Sequence, residues 1–281
     1  MREVSYFAPT EVGEAVNLLA EHGAKATVLA GGTDLLPKIN HYDLKPEAIL
    51  FIGGLGLDAI KEENGKLVIG AATSTAKIAA SDLVAEKAGA LAEAAQASGS
   101  VAIRTAATIG GNIANASPGA DMVAALLALD AEFKLVSAGG DRTVAAKDFF
   151  LGPHESVLKP DELLTEVNVP VPKGKTVFLK LGRRHAQTLS VASVAVQLEM
   201  EGATCKDARI VLGAMAPTPL RCTKAEGMIK GKSLDEGLVA KCAAEAVDES
   251  SPIDDQRATA WYRKRAANVL VARALAQAAG I

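Results

Sequence analysis

Aromatic side chains are scarce in this 281-residue chain, at 4% with a single tryptophan, Trp261. A base-stacking platform or an aromatic sugar cleft has little to draw on, which leaves backbone contacts as the better-supplied way to hold a ligand. Cysteine is equally sparse. Cys205, Cys222 and Cys242 form an odd set without CxxC spacing, which excludes a disulfide framework and fits a reducing compartment. An all-thiolate iron–sulfur cluster takes four cysteines, so any such cluster must belong to a partner. Nor is there an excess of positive charge: Lys plus Arg number 30 against 33 for Asp plus Glu, a net charge of −3. A chain so balanced has no electrostatic footprint for nucleic acid or an anionic membrane. No stretch approaches the ~18 apolar residues of a spanning helix. The start, Met1-Arg2-Glu3-Val4-Ser5-Tyr6, lacks a basic region followed by an apolar one, so the expectation is a cytoplasmic protein.

Common catalytic and nucleotide signatures are missing too. Gly231-Lys232-Ser233 ends like a P-loop, but the first glycine of that motif falls on Glu226, and the phosphate cradle is lost with it. No GxGxxG occurs; the nearest string, Gly53-Gly54-Leu55-Gly56, leads into a turn and a short strand instead of a helix. His22, His41, His154 and His185 are scattered outside any metal-ligand spacing. Asn115 stands where GxSxG around Ser117 needs glycine. No metal site and no catalytic nucleophile or base is assigned.

What remains is an ordinary globular composition, 49% hydrophobic and 22% charged, long enough for two domains at roughly 100–200 residues each. Val12, Ala15, Val16 and Leu19 follow helical spacing, with Thr10 as N-cap and Gly23 as stop. A short buried strand over 26–30 runs into Gly31-Gly32 and a helix start, and a second strand covers 48–52, so residues 1–53 form a βαβ-like first subdomain. A strand over 67–70, an Ala-rich helical region over 75–97, a second glycine loop at 108–112 and a helix over 121–128 follow. A hairpin pairs 133–137 with 142–146, and a strand covers 163–169. Pro170 to Gly174 marks a boundary between domains 1–172 (subdomains about 1–53 and 54–172) and 173–281. The latter carries strands near 176–181, 192–200 and 208–214, then helices near 221–229, 234–246 and 256–279. Strands followed by helices give an α+β class.

The two glycine pairs organise this pattern. A diphosphate is met by backbone N–H groups in a tight turn, and glycine has no Cβ to hold the ligand away. Thr33 and Thr108 add hydroxyls and Asn112 an amide. Composition alone equally allows each pair to be only a turn with positive φ.

The longer strings are more specific. Ala30-Gly31-Gly32-Thr33-Asp34-Leu35-Leu36, together with the run from Ala107 to Asp121 through Thr108-Ile109-Gly110-Gly111-Asn112, resembles the two FAD-binding loops of the molybdenum hydroxylase flavoprotein (medium) subunit of bacterial xanthine, nicotinate and carbon monoxide dehydrogenases. The resemblance covers essentially the whole chain. It implies a two-lobed FAD-binding domain of the vanillyl-alcohol-oxidase (PCMH) type, followed by a smaller α+β C-terminal domain of the CO dehydrogenase flavoprotein kind. Leu29, Ala30, Gly31, Gly32, Thr33, Asp34, Leu35 and Leu36, with Thr108, Ile109, Gly110, Gly111 and Asn112, would then wrap the FAD pyrophosphate. Ser117 would join the cofactor site, Asp121 would accept from the ribose or lie near the adenine, and Leu164 would pack near the cofactor. Phe178-Leu179-Lys180-Leu181-Gly182-Arg183-Arg184 is similar to the family segment with a flavin-side lysine, which falls on Lys180; its charge would stabilise the anionic reduced ring. Downstream, Thr188-Leu189-Ser190 depart from the Asp-Ile-Ala of many relatives, so no carboxylate contact is assigned there. The four-cysteine insertion of the hydroxybenzoyl-CoA reductases is missing.

The function so implied is electron transfer. Substrate is oxidised in a large molybdopterin-binding subunit, and electrons pass through the [2Fe–2S] clusters of a small subunit to FAD and on to NAD+ or another acceptor. No His or Cys lies in either glycine loop, which favours non-covalent FAD. A stand-alone FAD-dependent oxidoreductase is the alternative, and a nucleotide-binding module without redox chemistry a third.

Overall fold

The computed structural model describes residues 4–281; Met1, Arg2 and Glu3, part of the N-terminal stretch considered above, lie outside the described residues. The chain folds as two lobes followed by a C-terminal sheet-and-helix domain, all of mixed helix and strand.

The first lobe holds β1 (Ser5–Phe7), α1 (Val12–His22), β2 (Ala26–Leu29), α2 (Leu35–Asn40) and β3 (Ala48–Phe51). The strands form a parallel sheet in the order β1-β3-β2. Helix α1 buries Ala15, Val16 and Leu19 against Leu50, Ile52 and Leu163, the stripe that its spacing predicts. It starts from Glu11 instead of Thr10 and makes no side-chain cap; the Thr10 N–H is taken by the Glu14 carboxylate at 3.4 Å. Gly23, at φ 53°, ends it.

The second lobe opens with β4 (Ile60–Glu63) and β5 (Lys66–Gly70). Next come α3 (Thr75–Ala79), α4 (Asp82–Lys87), α5 (Gly89–Ala97), α6 (Val101–Ala106), α7 (Ile109–Ala114) and α8 (Asp121–Ala128). Strands β6 (Glu132–Ser137), β7 (Gly140–Ala145), β8 (Phe150–Gly152), β9 (Glu155–Ser156) and β10 (Leu163–Pro170) complete it. The main sheet is antiparallel, in the order β4-β5-β10-β6-β7. The single Ala-rich region expected over 75–97 is three helices, because Ser74 and Ser81 cap new starts on the N–H groups of Lys77 and Val84 and the backbone breaks at Ala88.

The second glycine loop is not a loop. Thr108 is an N-cap, accepting from the Gly111 N–H at 3.1 Å, and Gly110 and Gly111 lie inside α7. Local sequence favours a turn at Gly-Gly, but the cap and the bonds to the neighbouring strand segment outweigh it.

The C-terminal domain is an antiparallel sheet, β11 (Lys175–Gly182), β12 (Ser190–Glu201), β13 (Thr204–Gly213) and β14 (Leu220–Arg221), followed by α9 (Thr223–Ile229), α10 (Glu236–Asp248) and α11 (Ala260–Ala279). Strand β12 has nine consecutive buried residues from Ser190, the mark of a strand covered on both faces. Val194, Val196, Ile210 and Leu212 pack under the helices of this domain, whereas Phe178, Ala195 and Val211 face the core of the second lobe with Leu91 and Leu126. The sheet is thereby fastened to α5 and α8 by apolar burial. Among the described residues no helix is long and apolar enough to cross a membrane.

Candidate functional site

Strand β2 and the turn after it bring residues 30–35 against the segment that leads into α7. A Cβ on Gly31 would stand 1.8 Å from the Ala106 carbonyl oxygen, and one on Gly110 would stand 2.7 Å from the Ala71 carbonyl oxygen. Gly32 has φ +71°. These glycines therefore clear room first of all for backbone against backbone, and the two segments meet because they lack side chains there. The expectation that both pairs simply leave space for a ligand is corrected in that respect for Gly31 and Gly110; a Cβ on Gly32 would meet the Leu36 side chain at 2.7 Å, and one on Gly111 would meet no backbone but press on the Thr108 hydroxyl at 3.0 Å.

The meeting encloses a cavity of about 430 Å3, lined by Ala30 to Leu35 on one side and by Thr108, Gly110, Gly111, Asn112 and Asn115 on the other. Val28, Leu44, Ile52, Leu158, Leu163 and Leu164 give it apolar walls. The size and the mix of an apolar wall with a few converging polar groups suit a small-molecule cofactor.

The two segments contribute differently. In the second, the N–H groups are already used: Ile109 donates to Thr73 O at 3.0 Å, Gly110 to Ala71 O at 2.8 Å and Asn112 to Thr108 O at 3.0 Å. In the first, among the described residues no acceptor takes the N–H of Gly31, Gly32, Thr33, Asp34 or Leu35, and such a run in a tight turn is an anion-binding concavity. The second segment offers side chains instead, the Thr108 hydroxyl and the Asn112 amide. Asn112 Oδ1 is buried without a hydrogen-bond partner, and whichever way the amide is turned it brings polar capacity that the protein itself does not satisfy.

Other anticipated residues lie elsewhere. Leu29 and Leu36 flank the turn but stay outside the lining, and Ile109 is fully buried in the core. Ser117 lines a separate cavity of about 320 Å3, with Ser190 and Arg263 from the C-terminal domain. Asp121 and Lys180 are also outside the first cavity and are bound to each other, Nζ to Oδ2 at 2.5 Å. Lys180 gives its remaining protons to Ala97 O at 3.1 Å and Thr188 O at 3.0 Å, and Ser190 Oγ donates to Asp121 Oδ1 at 2.5 Å. Burial pushes the Asp121 carboxyl up, with Lys180 pulling against it. Together these bonds make a polar clamp between the second lobe and the C-terminal sheet.

Several lining residues have no counterpart in the sequence reading. Lys38, on α2, lies 2.6 Å from Asp34 Oδ2 and 3.4 Å from Asn115 Oδ1. Glu162 lines the wall beside Leu163; the Arg142 guanidinium, at 2.7 and 2.8 Å through Nε and Nη2, holds its carboxyl below the usual range. The missed signal was helical spacing: residues 108, 111, 112 and 115 share one face once 109–114 is a helix, and 34 and 38 share one face of α2.

FAD fits this donor set. Free N–H groups suit its diphosphate, the Asn112 amide and Thr108 hydroxyl can each hydrogen-bond, and the leucine-rich walls suit a ring system.

Fold and site thus define a cofactor-binding protein with a turn suited to a diphosphate, and comparison with known proteins gives the family. Residues 2–172 match the FAD binding domain in molybdopterin dehydrogenase, and residues 177–278 the CO dehydrogenase flavoprotein C-terminal domain. The chain is 35% identical to the glyceraldehyde dehydrogenase medium chain of Sulfolobus acidocaldarius, over 99% of each chain. It is 35% identical to the carbon monoxide dehydrogenase medium chain of Afipia carboxidovorans, over 97% of this chain and 96% of that one. Among solved structures, a carbon monoxide dehydrogenase from Hydrogenophaga pseudoflava superposes with a TM-score of 0.95 at 36% identity, covering 99% of this chain and 98% of that one. Quinoline 2-oxidoreductase from Pseudomonas putida 86 gives 0.94 at 28% identity with the same coverage. The chain belongs to the FAD-binding subunits of the molybdopterin dehydrogenases. It is an oxidoreductase subunit, and its cofactor is FAD.

Proposed function

We propose that this chain is the electron-transfer subunit of a molybdenum-containing hydroxylase, standing between the [2Fe–2S] clusters of a small partner subunit and NAD+ or another acceptor, with substrate oxidised at the molybdopterin cofactor of a large partner subunit. The observation that carries this reading is the cavity with free N–H groups on one wall and the unpartnered Asn112 amide oxygen on the other. Relatives called medium chains of dehydrogenases support the assignment to an assembly of unlike subunits. Bound FAD supplies a carrier that takes electrons singly and gives them up in pairs, which a cluster-to-acceptor relay requires.

The chain's own residues bind and orient. The N–H groups of Gly31 to Leu35 hold the diphosphate, Thr108 and Asn112 fix it from the opposite wall, and Leu163 and Leu164 exclude water on the apolar side. No His or Cys lines the cavity among the described residues, in keeping with a non-covalent cofactor. The three thiols are all buried and free; burial pushes Cys205 up to about 11 and Cys242 up to about 12, which leaves them protonated and unreactive.

Purification of the full chain tests the proposal. The expected product is yellow, takes up FAD, and turns over no substrate until a molybdopterin subunit and an iron–sulfur subunit are added. Turnover by the chain alone would make it a stand-alone oxidoreductase, and a colourless protein indifferent to FAD would overturn the cofactor assignment.

A further inference from the structure

We propose that Lys38 is the cation that offsets the charge of the cofactor's diphosphate; this rests on the reading of the cavity as an FAD site. Among the residues lining that cavity Lys38 is the one positively charged side chain, beside two carboxylates, Asp34 and Glu162. The Glu162 charge is already matched by Arg142. Five backbone N–H groups are dipoles, and a dianionic diphosphate entering a wall that carries carboxylates needs a full charge as well.

Lys38 is placed to give it. A helical side chain leans toward the N-terminus of its helix, so a lysine one turn into α2 is carried back over the turn that precedes it. Its Nζ is 2.6 Å from Asp34 Oδ2 on that turn and 3.4 Å from Asn115 Oδ1 just after α7. The ammonium group therefore touches both walls of the cavity, and with three protons it keeps one uncommitted among the described residues. The partnership with Asp34 does not lock it away: the side chains are 41% and 50% exposed, and an ion pair open to water is weak and rearranges at little cost. Asp34 parks the lysine, and Lys38 joins the walls electrostatically when an anion arrives.

The test is equilibrium titration of full-length apoprotein with FAD, and separately with ADP, which carries the diphosphate without the flavin, at low and high NaCl. Lys38→Met should weaken both ligands about tenfold at low salt and flatten the salt dependence, Lys38→Arg should restore most of the affinity, and the thermal stability of the apoprotein should be unchanged by either. Wild-type affinity and wild-type salt response in Lys38→Met would overturn the role of Lys38 alone. So would a loss that Lys38→Arg does not rescue and that leaves the salt response intact. A wild-type chain that takes up FAD from neither buffer would overturn the FAD reading itself, and the role of Lys38 with it.

Discussion

Lys180 Nζ lies 2.5 Å from Asp121 Oδ2, with the two side chains only 8% and 6% exposed. The lysine leaves β11 of the C-terminal domain, the aspartate opens the wholly buried helix α8, and the Ala97 carbonyl ends α5 beside them. A charge pair in such a place stabilises little by itself but makes either partner costly to lose.

Lys180→Met should therefore destabilise the chain by roughly 3–5 kcal/mol, since it strands a buried carboxylate. The double variant Lys180→Met/Asp121→Asn should recover part of that loss, because no charge is left unpaired. Urea denaturation of the four members of the cycle measures the coupling, and strictly additive losses would show that the pair is not a unit.

The glycines should separate by what each meets. Gly31→Ala sets a Cβ against the Ala106 carbonyl and should cost the apoprotein roughly 1–3 kcal/mol or more, even before any cofactor is added. Gly111→Ala presses only on the Thr108 hydroxyl, at 3.0 Å, and the strain on that cap is offset by the better helix propensity of alanine, so apoprotein stability should stay within about 1 kcal/mol, while FAD affinity falls because the residue lines the cavity. Denaturation and FAD titration on the same two proteins distinguish a packing glycine from a ligand-facing one.

Asn112→Leu removes a buried acceptor that has no partner. The apoprotein should be equally stable, or more stable by about 1 kcal/mol, yet hold FAD less tightly. A marked loss of apoprotein stability would instead make Asn112 a structural residue.

Glu162 gives a pH dependence with a definite sign. Its folded-state value is lowered from 4.5, mainly by the hydrogen bond from Arg142, so the stabilisation is present above that value and is lost as pH falls through the lower, folded one. The gap in melting temperature between wild-type apoprotein and Glu162→Gln should be widest near neutrality and should close below about pH 4.5. A gap that is constant down to pH 3 would mean that the charge of Glu162 contributes nothing.

Periodicity and punctuation in the sequence determined the helix at 12–22, the hairpin around Gly139-Gly140 and the C-terminal order of strands then helices, because each depends on residues a few positions apart. The strings around Gly31-Gly32 and Gly110-Gly111 likewise determined the family and its cofactor. Tertiary structure alone decided what those glycines meet. Nothing near Gly110 in sequence reveals that its N–H is taken by Ala71, or that Gly31 must pass the Ala106 carbonyl. The same holds for Lys180, whose partner Asp121 is 59 positions away, and for Lys38, which reaches Asn115 across 77. Hydrogen bonds and charges saturate on whatever folding brings within about 3 Å, and at such separations in sequence only the packed chain chooses the partner.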